Sequence, residues 1–356
     1  MNKKENDKLI SRVLQDWYRQ HKRSLPWRDS KDPYVVWISE IILQQTRVNQ
    51  GHDYFLRFVE KLPDIKSLAE ALEDDVLKIW QGLGYYSRAR NLHTAAKQIM
   101  EKFDGVFPSS HSDILSLKGV GEYTAAAVAS IAFGLPYAVV DGNVFRVLSR
   151  LFAIETAIDS TAGKKLFAET AQSILDRENP GNHNQAMMEL GALVCTPKLP
   201  KCAECPLQTV CLALEKKNVL AFPVKKGKII QKERFFNYFH IEQNGYTYII
   251  KRDNSDVWKN LYEFPLIETD EQNDLLMLQA NPYFSNLFQS AGKICFQHKL
   301  RLKHVLSHRI IHADFYRVEL SEQFAFDEDK KFIKIEAASL FEYPVSRLIH
   351  KYLETI

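Results

Sequence analysis

Cysteine is scarce in this sequence: five among 356 residues, and four of the five fall within CTPKLPKCAECPLQTVC, residues 195 to 211. A dispersed set that could pair into disulfides is therefore missing. The first twenty residues, MNKKENDKLISRVLQDWYRQ, lack the apolar stretch of a secretory leader, and no run approaches the roughly 18 apolar residues of a membrane span. These absences point away from secretion and the membrane. They place the protein in the cytoplasm of a cell without nuclear sorting, or in a nucleus, where disulfides rarely persist. Repeats and low-complexity tracts are absent too. So is a dominant charge: the net value is +3, with 29 Lys and Arg against 26 Asp and Glu over residues 1–225 and 18 of each over 226–356. That excess is too small to argue for nucleic acid by itself, so any such contact has to come from local arrangement.

What is present is an ordinary globular composition, 46% hydrophobic and 26% charged, in a chain long enough for two cores. From about residue 7 to 220 apolar residues recur at three and four, as in DVLKIWQGLGY and SRARNLHTAAKQIMEKF, which predicts helices. FPVKKGKIIQKERFF loses that period and reads as an exposed linker. Beyond it, YFHIEQNGYTYIIKR and ICFQHKLRLKHVLSHRIIHADFYRVEL are β-branched and aromatic, with Asn244-Gly245 as a hairpin turn signal. A mixed domain with a substantial sheet is expected there.

The clustered cysteines have the spacing C-x6-C-x2-C-x5-C. Four thiolates suit either zinc or an iron–sulfur cluster. Only Cys202 and Cys205 form a close pair, which disfavours a zinc ribbon and leaves both metals open. Cys295, in a strand-like apolar setting, reads as an ordinary buried small residue.

Two acids stand out. Glu40 lies among Trp37, Ile38, Ile41, Ile42 and Leu43 in WISEIILQQTR, where a charge needs a reason. Either it takes the solvent side of an amphipathic helix, or burial raises its pKa and makes it a general acid. Asp141, in AVVDGNVFRVLSR, is either a helix N-cap or a functional carboxylate. In LKGVGEYTAAAV, Gly119 and Gly121 permit a tight turn before a helix whose free amides suit a phosphate, although a plain helix connector fits equally well.

Taken together, WISEIILQQTR, GLGYYSRARNL, LKGVGEYTAAAV, VVDGNVFRVLSR, NQAMMELGALVCTPKLPKCAECPLQTVC and HVLSHR resemble the MutY-type adenine DNA glycosylases of the helix-hairpin-helix superfamily, over almost the whole chain. The resemblance implies an all-helical glycosylase domain over 1–222 with an iron–sulfur loop, a linker over 223–234, and a Nudix-like mixed α/β domain over 235–356. It implies a [4Fe-4S] cluster on Cys195, Cys202, Cys205 and Cys211, whose loop carries Lys198 and Lys201 to the DNA backbone, with Gly119 and Gly121 at another phosphate. Glu40 is then the acid that protonates adenine N7, Asp141 the carboxylate that stabilises the cationic sugar, and Asn143 the group that orients them.

Relatives that also cut the strand carry a lysine where this chain has Tyr123, so hydrolysis alone is implied. Trp27, Arg28, Leu43 and Gln185 would line the adenine pocket. Leu83 is a further substrate-contacting position, and Gln45 and Tyr85 would enter the opened helix. Lys118 departs from the proline common in LPGVG. In the second domain, no glutamate-rich helix for magnesium follows Pro265, so binding without hydrolysis is expected. Ser307 and His308 match a Phe-Ser-His loop that meets 8-oxoguanine, with Leu306 in place of phenylalanine.

The implied partner is duplex DNA with adenine opposite 8-oxoguanine or guanine, engaged by a monomer working in a bacterial cytoplasm on the nucleoid. Two rivals remain: a glycosylase with strand-cutting activity on oxidised pyrimidines, and a non-enzymatic zinc-stabilised DNA-binding protein.

Overall fold

The computed structural model describes residues 3–227, 231–253, 256–289, 293–320 and 331–356. Its contacts divide the chain into two compact units, Met1–Glu70 with Asn91–Gly227, and Ala71–Arg90 with Lys228–Ile356. The segment 71–90 therefore packs with the second unit, although it lies inside the first in sequence.

The helices of the chain's first half are α1 (Lys3–His21), α2 (Pro33–Leu43), α3 (Val48–Lys61), α4 (Ile65–Glu70), α5 (Glu73–Ile79), α6 (Ser87–Lys102), α7 (His111–Ser116), α8 (Glu122–Ile131), α9 (Gly142–Leu151), α10 (Thr161–Ile174), α11 (Pro180–Leu193) and α12 (Leu212–Glu215). Their starts are written in the sequence. Asp32, Ser110, Asp141 and Ser160 each accept a backbone N–H of the following first turn. Proline occupies the first position of α2 and α11, where its missing N–H costs nothing.

One core joins Ile10, Leu14 and Trp17 of α1 to Val144 and Leu148 of α9, Phe167 of α10 and Leu190 of α11, with Cys195, Cys205 and Cys211 packed at its margin. Helix α8 is buried from Thr124 to Ser130, and its alanines let α2, α7 and α11 come close. Gly191 of α11 has a related function: a Cβ there would stand 2.6 Å from the Asn143 Cβ of α9, closer than carbon atoms approach.

The second unit is built on a mixed sheet of β1 (Lys232–Gln243), β2 (Tyr246–Lys251), β3 (Tyr262–Glu263), β4 (Leu266–Thr269), β5 (Ile294–Val305), β6 (Arg309–Leu320) and β7 (Ile333–Glu336). Among the described residues the strand order is β3-β2-β1-β6-β5, with β4 also on β1 and β7 on β2. β1 and β6 run parallel, which explains the continuous burial from Phe236 to Ile241. Asn244 and Gly245, both at positive φ, turn β1 into β2 as their sequence signals.

One sheet face packs Phe236, Tyr238 and Phe315 against α15 (Arg347–Leu353); the other packs Phe239, Tyr316 and Val318 against α13 (Leu275–Gln279) and α14 (Pro282–Leu287). The irregularity between His298 and Leu300 transfers the inward positions of β5 from the second core, through Phe296, to the first, through Leu300 and Leu302. Segment 71–90 is tied into this unit by Asp74, which accepts from Lys251 Nζ at 2.6 Å and Tyr262 Oη at 2.9 Å, and by Tyr86 Oη donating to the Val345 carbonyl at 3.0 Å.

Two details differ from the expectations. Lys232 to Arg234 are already strand rather than linker, and Lys226 N–H binds the Asp159 carboxylate at 2.9 Å, while 228–230 lie outside the described residues. Cys295 is exposed instead of buried, because β5 is an edge strand whose intervening residues face outward. No described helix is long and apolar enough to cross a membrane.

Candidate active site and cysteine site

Helix α2, the turn before it, α8, the start of α9 and α11 enclose a cavity of about 160 Å³ in the first unit. It is lined by Trp27, Arg28, Glu40, Leu43, Tyr123, Asp141, Asn143 and Gln185, which brings together eight of the residues singled out from sequence.

Glu40 is only 7% exposed, in a helix buried from Val36 to Ile42. Burial, with Asp141 adding to it, pushes its carboxyl up to about 7, against the opposing hydrogen bond from Tyr123 and the Arg28 charge. Tyr123 Oη donates to Glu40 Oε2, and burial raises the phenol well above its ordinary range, so it stays neutral. The solvent-side alternative for Glu40 is thereby removed.

Asp141 is the N-cap of α9, the first of its two sequence readings. Oδ1 caps α9 by accepting Val144 N–H at 2.7 Å, while Oδ2 accepts Asn143 Nδ2 at 2.8 Å. Burial raises its pKa, opposed by those same N–H donors. Asn143 is held in turn by Arg146, whose guanidinium donates to Asn143 Oδ1 at 2.9 Å. The two acids thus stand in different surroundings: Glu40 touches a phenol and hydrocarbon, Asp141 a helix N-terminus and an amide.

A further set completes the pocket without any motif to announce it. Glu189, 1% exposed, accepts from Arg23 Nε at 2.8 Å and from Arg28 at 2.7 Å. Gln185 Oε1 accepts from Tyr18 Oη at 2.8 Å and Arg28 at 3.1 Å, which commits its carbonyl. The available signal was spacing: Glu189 follows Gln185 by four residues, on one helix face, amid an apolar run.

Other expected positions lie outside this cavity. Gln45 is exposed at the end of α2 with φ 56, and Tyr85 also has positive φ, backbone strain of the kind that functional positions retain. Tyr85, Ser307 and His308 line a separate cavity inside the second unit, where Tyr85 Oη and Ser307 Oγ are 2.9 Å apart. Leu83 is buried and does not reach that lining. Gly119 has φ 78, and a Cβ on it would meet Asn91 Cβ at 2.5 Å, so the turn before α8 requires glycine. Gly121 ends that turn as the residue before α8. Lys198 is exposed, and exposed Lys201 pairs loosely with Glu204 at 3.5 Å.

The four clustered cysteines line one small cavity of about 30 Å³. Among the described residues no three metal-binding side chains converge as they would on a single ion. Arg150, 2% exposed, donates to Cys195 Sγ at 3.3 Å and to the carbonyls of Thr196 and Pro197. A buried guanidinium beside one of four thiols that line a single cavity suits a thiolate-bound metal group. Burial pushes the Cys205 thiol up to about 11, so binding would have to displace its proton.

Comparison with known proteins decides the family. Residues 38–173 match the HhH-GPD superfamily of base excision DNA repair proteins, and 237–355 match the NUDIX domain. An adenine DNA glycosylase of Buchnera aphidicola subsp. Acyrthosiphon pisum is 34% identical over 349 residues, covering 97% of each chain. The chain belongs to the adenine DNA glycosylase family. A second member, from Buchnera aphidicola subsp. Baizongia pistaciae, is 37% identical over 75% of this chain and 76% of its own length. Among solved structures, a thermostable thymine-DNA glycosylase is 29% identical with a TM-score of 0.55, over 60% of this chain and 98% of that one. The helical glycosylase fold and the Nudix-like mixed sheet expected of this family are both present.

Proposed function

We propose that this chain excises adenine from duplex DNA in base excision repair, acting where adenine stands opposite 8-oxoguanine or guanine, by hydrolysis and without cutting the strand. The supporting observation is the buried Glu40 carboxyl, raised to about 7, sharing one small cavity with an Asp141 anchored by helix amides.

Adenine is stacked in the duplex and has to be extruded, at about a few kcal/mol, before it can enter the pocket. There Trp27 and Leu43 supply apolar walls, and Gln185, whose carbonyl Tyr18 and Arg28 occupy, offers N–H donors to the ring. Glu40 gives its proton to adenine N7 as the N-glycosidic bond breaks, and the bonding pair leaves with the base. The cation left on the sugar is stabilised by the Asp141 carboxylate, which Asn143 holds in place. Water adds to the sugar and passes its proton to the Glu40 carboxylate, which returns that group to its acid form. Tyr123 cannot form the Schiff base that a lysine would, so the sequence ends at the abasic site.

Cys195, Cys202, Cys205 and Cys211 would hold a [4Fe-4S] cluster, one thiolate per iron. When bound, that group fixes the loop from which Lys198 and Lys201 reach phosphate, while the amides after Gly119 and Gly121 receive another. The Nudix-like unit then reads the opposing base through Ser307 and His308. The proposed setting is a monomer at work on the nucleoid in the cytoplasm.

The test is a panel of duplexes with adenine opposite 8-oxoguanine, guanine and thymine, treated with alkali after reaction. Expected are alkali-dependent breaks at adenine for the first two duplexes and no break without alkali. Breaks without alkali, or none at adenine, would remove the proposal.

A further inference from the structure

The turn 306–309 in the second unit is short and closed, with Leu306 N–H bonded to the Arg309 carbonyl at 2.8 Å. Its two middle residues, Ser307 and His308, are exposed, and Ser307 Oγ lies 2.9 Å from Tyr85 Oη. Support comes from the ends. Gln231 Nε2 donates to the Leu306 carbonyl at 2.7 Å, and Lys232 N–H donates to the His308 carbonyl at 3.1 Å.

The Arg309 side chain leads into a chain of charges. Its guanidinium donates to Asp256 Oδ1. Asp256 also takes both carboxylate oxygens to Arg234, at 2.9 and 2.7 Å, and Oδ2 to Arg252 at 3.1 Å. Arg252 is 10% exposed; it binds Glu263 at 2.6 Å and the Val257 carbonyl at 3.1 Å, so it ties the Asp256 segment to the sheet. Although burial works the other way, the Val257 amide and the arginines hold the Asp256 carboxyl down at about 2. It remains ionised under any working condition.

Asp256 and Arg309 line the same cavity as Tyr85, Trp258, Ser307 and His308. An exposed turn attached at its last residue to a half-buried, multiply bonded charge network is oriented by that network. We infer that Asp256, through Arg309, is a positioning residue that sets the direction of Ser307 and His308 and so determines discrimination between bases opposite the adenine. The inference rests on the proposed reading of that turn as the opposing-base contact. A network of this kind transmits loss of one member to its neighbours, as coupled charge pairs do.

The experiment measures single-turnover adenine release by the full chain from duplexes with adenine opposite 8-oxoguanine and opposite guanine. Asp256→Asn and Arg309→Gln are each expected to reduce the ratio of the two rates about tenfold, with the rate at saturating enzyme opposite guanine within about twofold of the parent. Asp256→Glu should recover most of the ratio. Arg309→Gln guards against misfolding, since it leaves Asp256 two of its arginines. An unchanged ratio in both variants, where Ser307→Ala collapses it, overturns the positioning role and leaves the opposing-base reading standing. If Ser307→Ala also leaves the ratio unchanged, the reading of the turn fails and takes the inference with it.

Discussion

Each unit holds a carboxylate shielded from water, almost fully for Glu40 and in part for Asp256, and the two are treated in opposite ways. Glu40 sits among hydrocarbon with one phenol as donor, and its carboxyl rises to about 7. Asp256 sits against three guanidinium groups and falls to about 2. Burial acts in the same direction at both sites, so the difference lies in what the buried oxygens touch. A carboxyl that has to give up a proton near neutral pH needs few donors, and one that has to hold a turn in place needs permanent charge. In the first unit desolvation keeps the carboxyl protonated to near neutral pH; in the second, paired charge keeps it ionised.

Breaking the acid pair in the first unit has the largest expected effect. Glu40→Gln and Asp141→Asn should each slow single-turnover adenine release by at least ~100-fold, the lower range for a positioned acid or base. Near-normal rates in both would end the assignment. Next comes pH. Because the protonated Glu40 is the active form, the rate should hold below about 7 and fall about tenfold per unit above it, and Glu40→Gln should flatten that limb.

Stability follows the same sign. The folded-state pKa of Glu40 is raised above its ordinary value of 4.5, so its contribution is complete below 4.5 and is lost as pH climbs through about 7. The thermal midpoint of Glu40→Gln should accordingly depend less on pH between 5 and 8 than that of the parent. Asp256 has the reverse sign: its contribution is present above the ordinary carboxylate pKa and is lost as pH falls through about 2.

In the second unit, Asp256→Ala leaves three arginines without their shared partner. It should destabilise that unit by about 2 kcal/mol in chemical denaturation, less than a fully buried pair because Asp256 keeps some exposure. A change below about 0.5 kcal/mol would mean the arginines are solvated and the network idle. The smallest effect is expected from Tyr123→Phe, which deletes the donor to Glu40. Since that hydrogen bond favours the ionised form, its loss should move the alkaline limb to higher pH by less than about one unit and change the rate less than about tenfold. A shift to lower pH would show that the phenol instead stabilises the protonated acid.

Much of this was legible in the residues. The helical period, the N-cap at Asp141 and the Asn244-Gly245 turn all depend on neighbours within a few positions, and all formed. Glu40 could be flagged because its own helix is apolar. What escaped was assembled from afar. Glu189, with its arginines more than 160 positions away, had no local signature, and Tyr18 reaches Gln185 across 167. Cys295 looked buried because its neighbours are apolar, but its exposure depends on β5 being an edge strand, which strand order alone sets. Packing of 71–90 with the second unit rests on Asp74 meeting Lys251 and Tyr262, again a contact between distant segments.

The sequence by itself determined which residues could do chemistry: a glutamate among hydrocarbons, an aspartate at a helix start, four thiols in one loop, and a tyrosine where a Schiff base would need lysine. Tertiary structure alone decided their protonation and partners, because a pKa is set by every group within a few ångströms, whatever its place in the chain. Local propensity can put Glu40 on a helix, and only the packing of α2, α8 and α11 around it can take away the water.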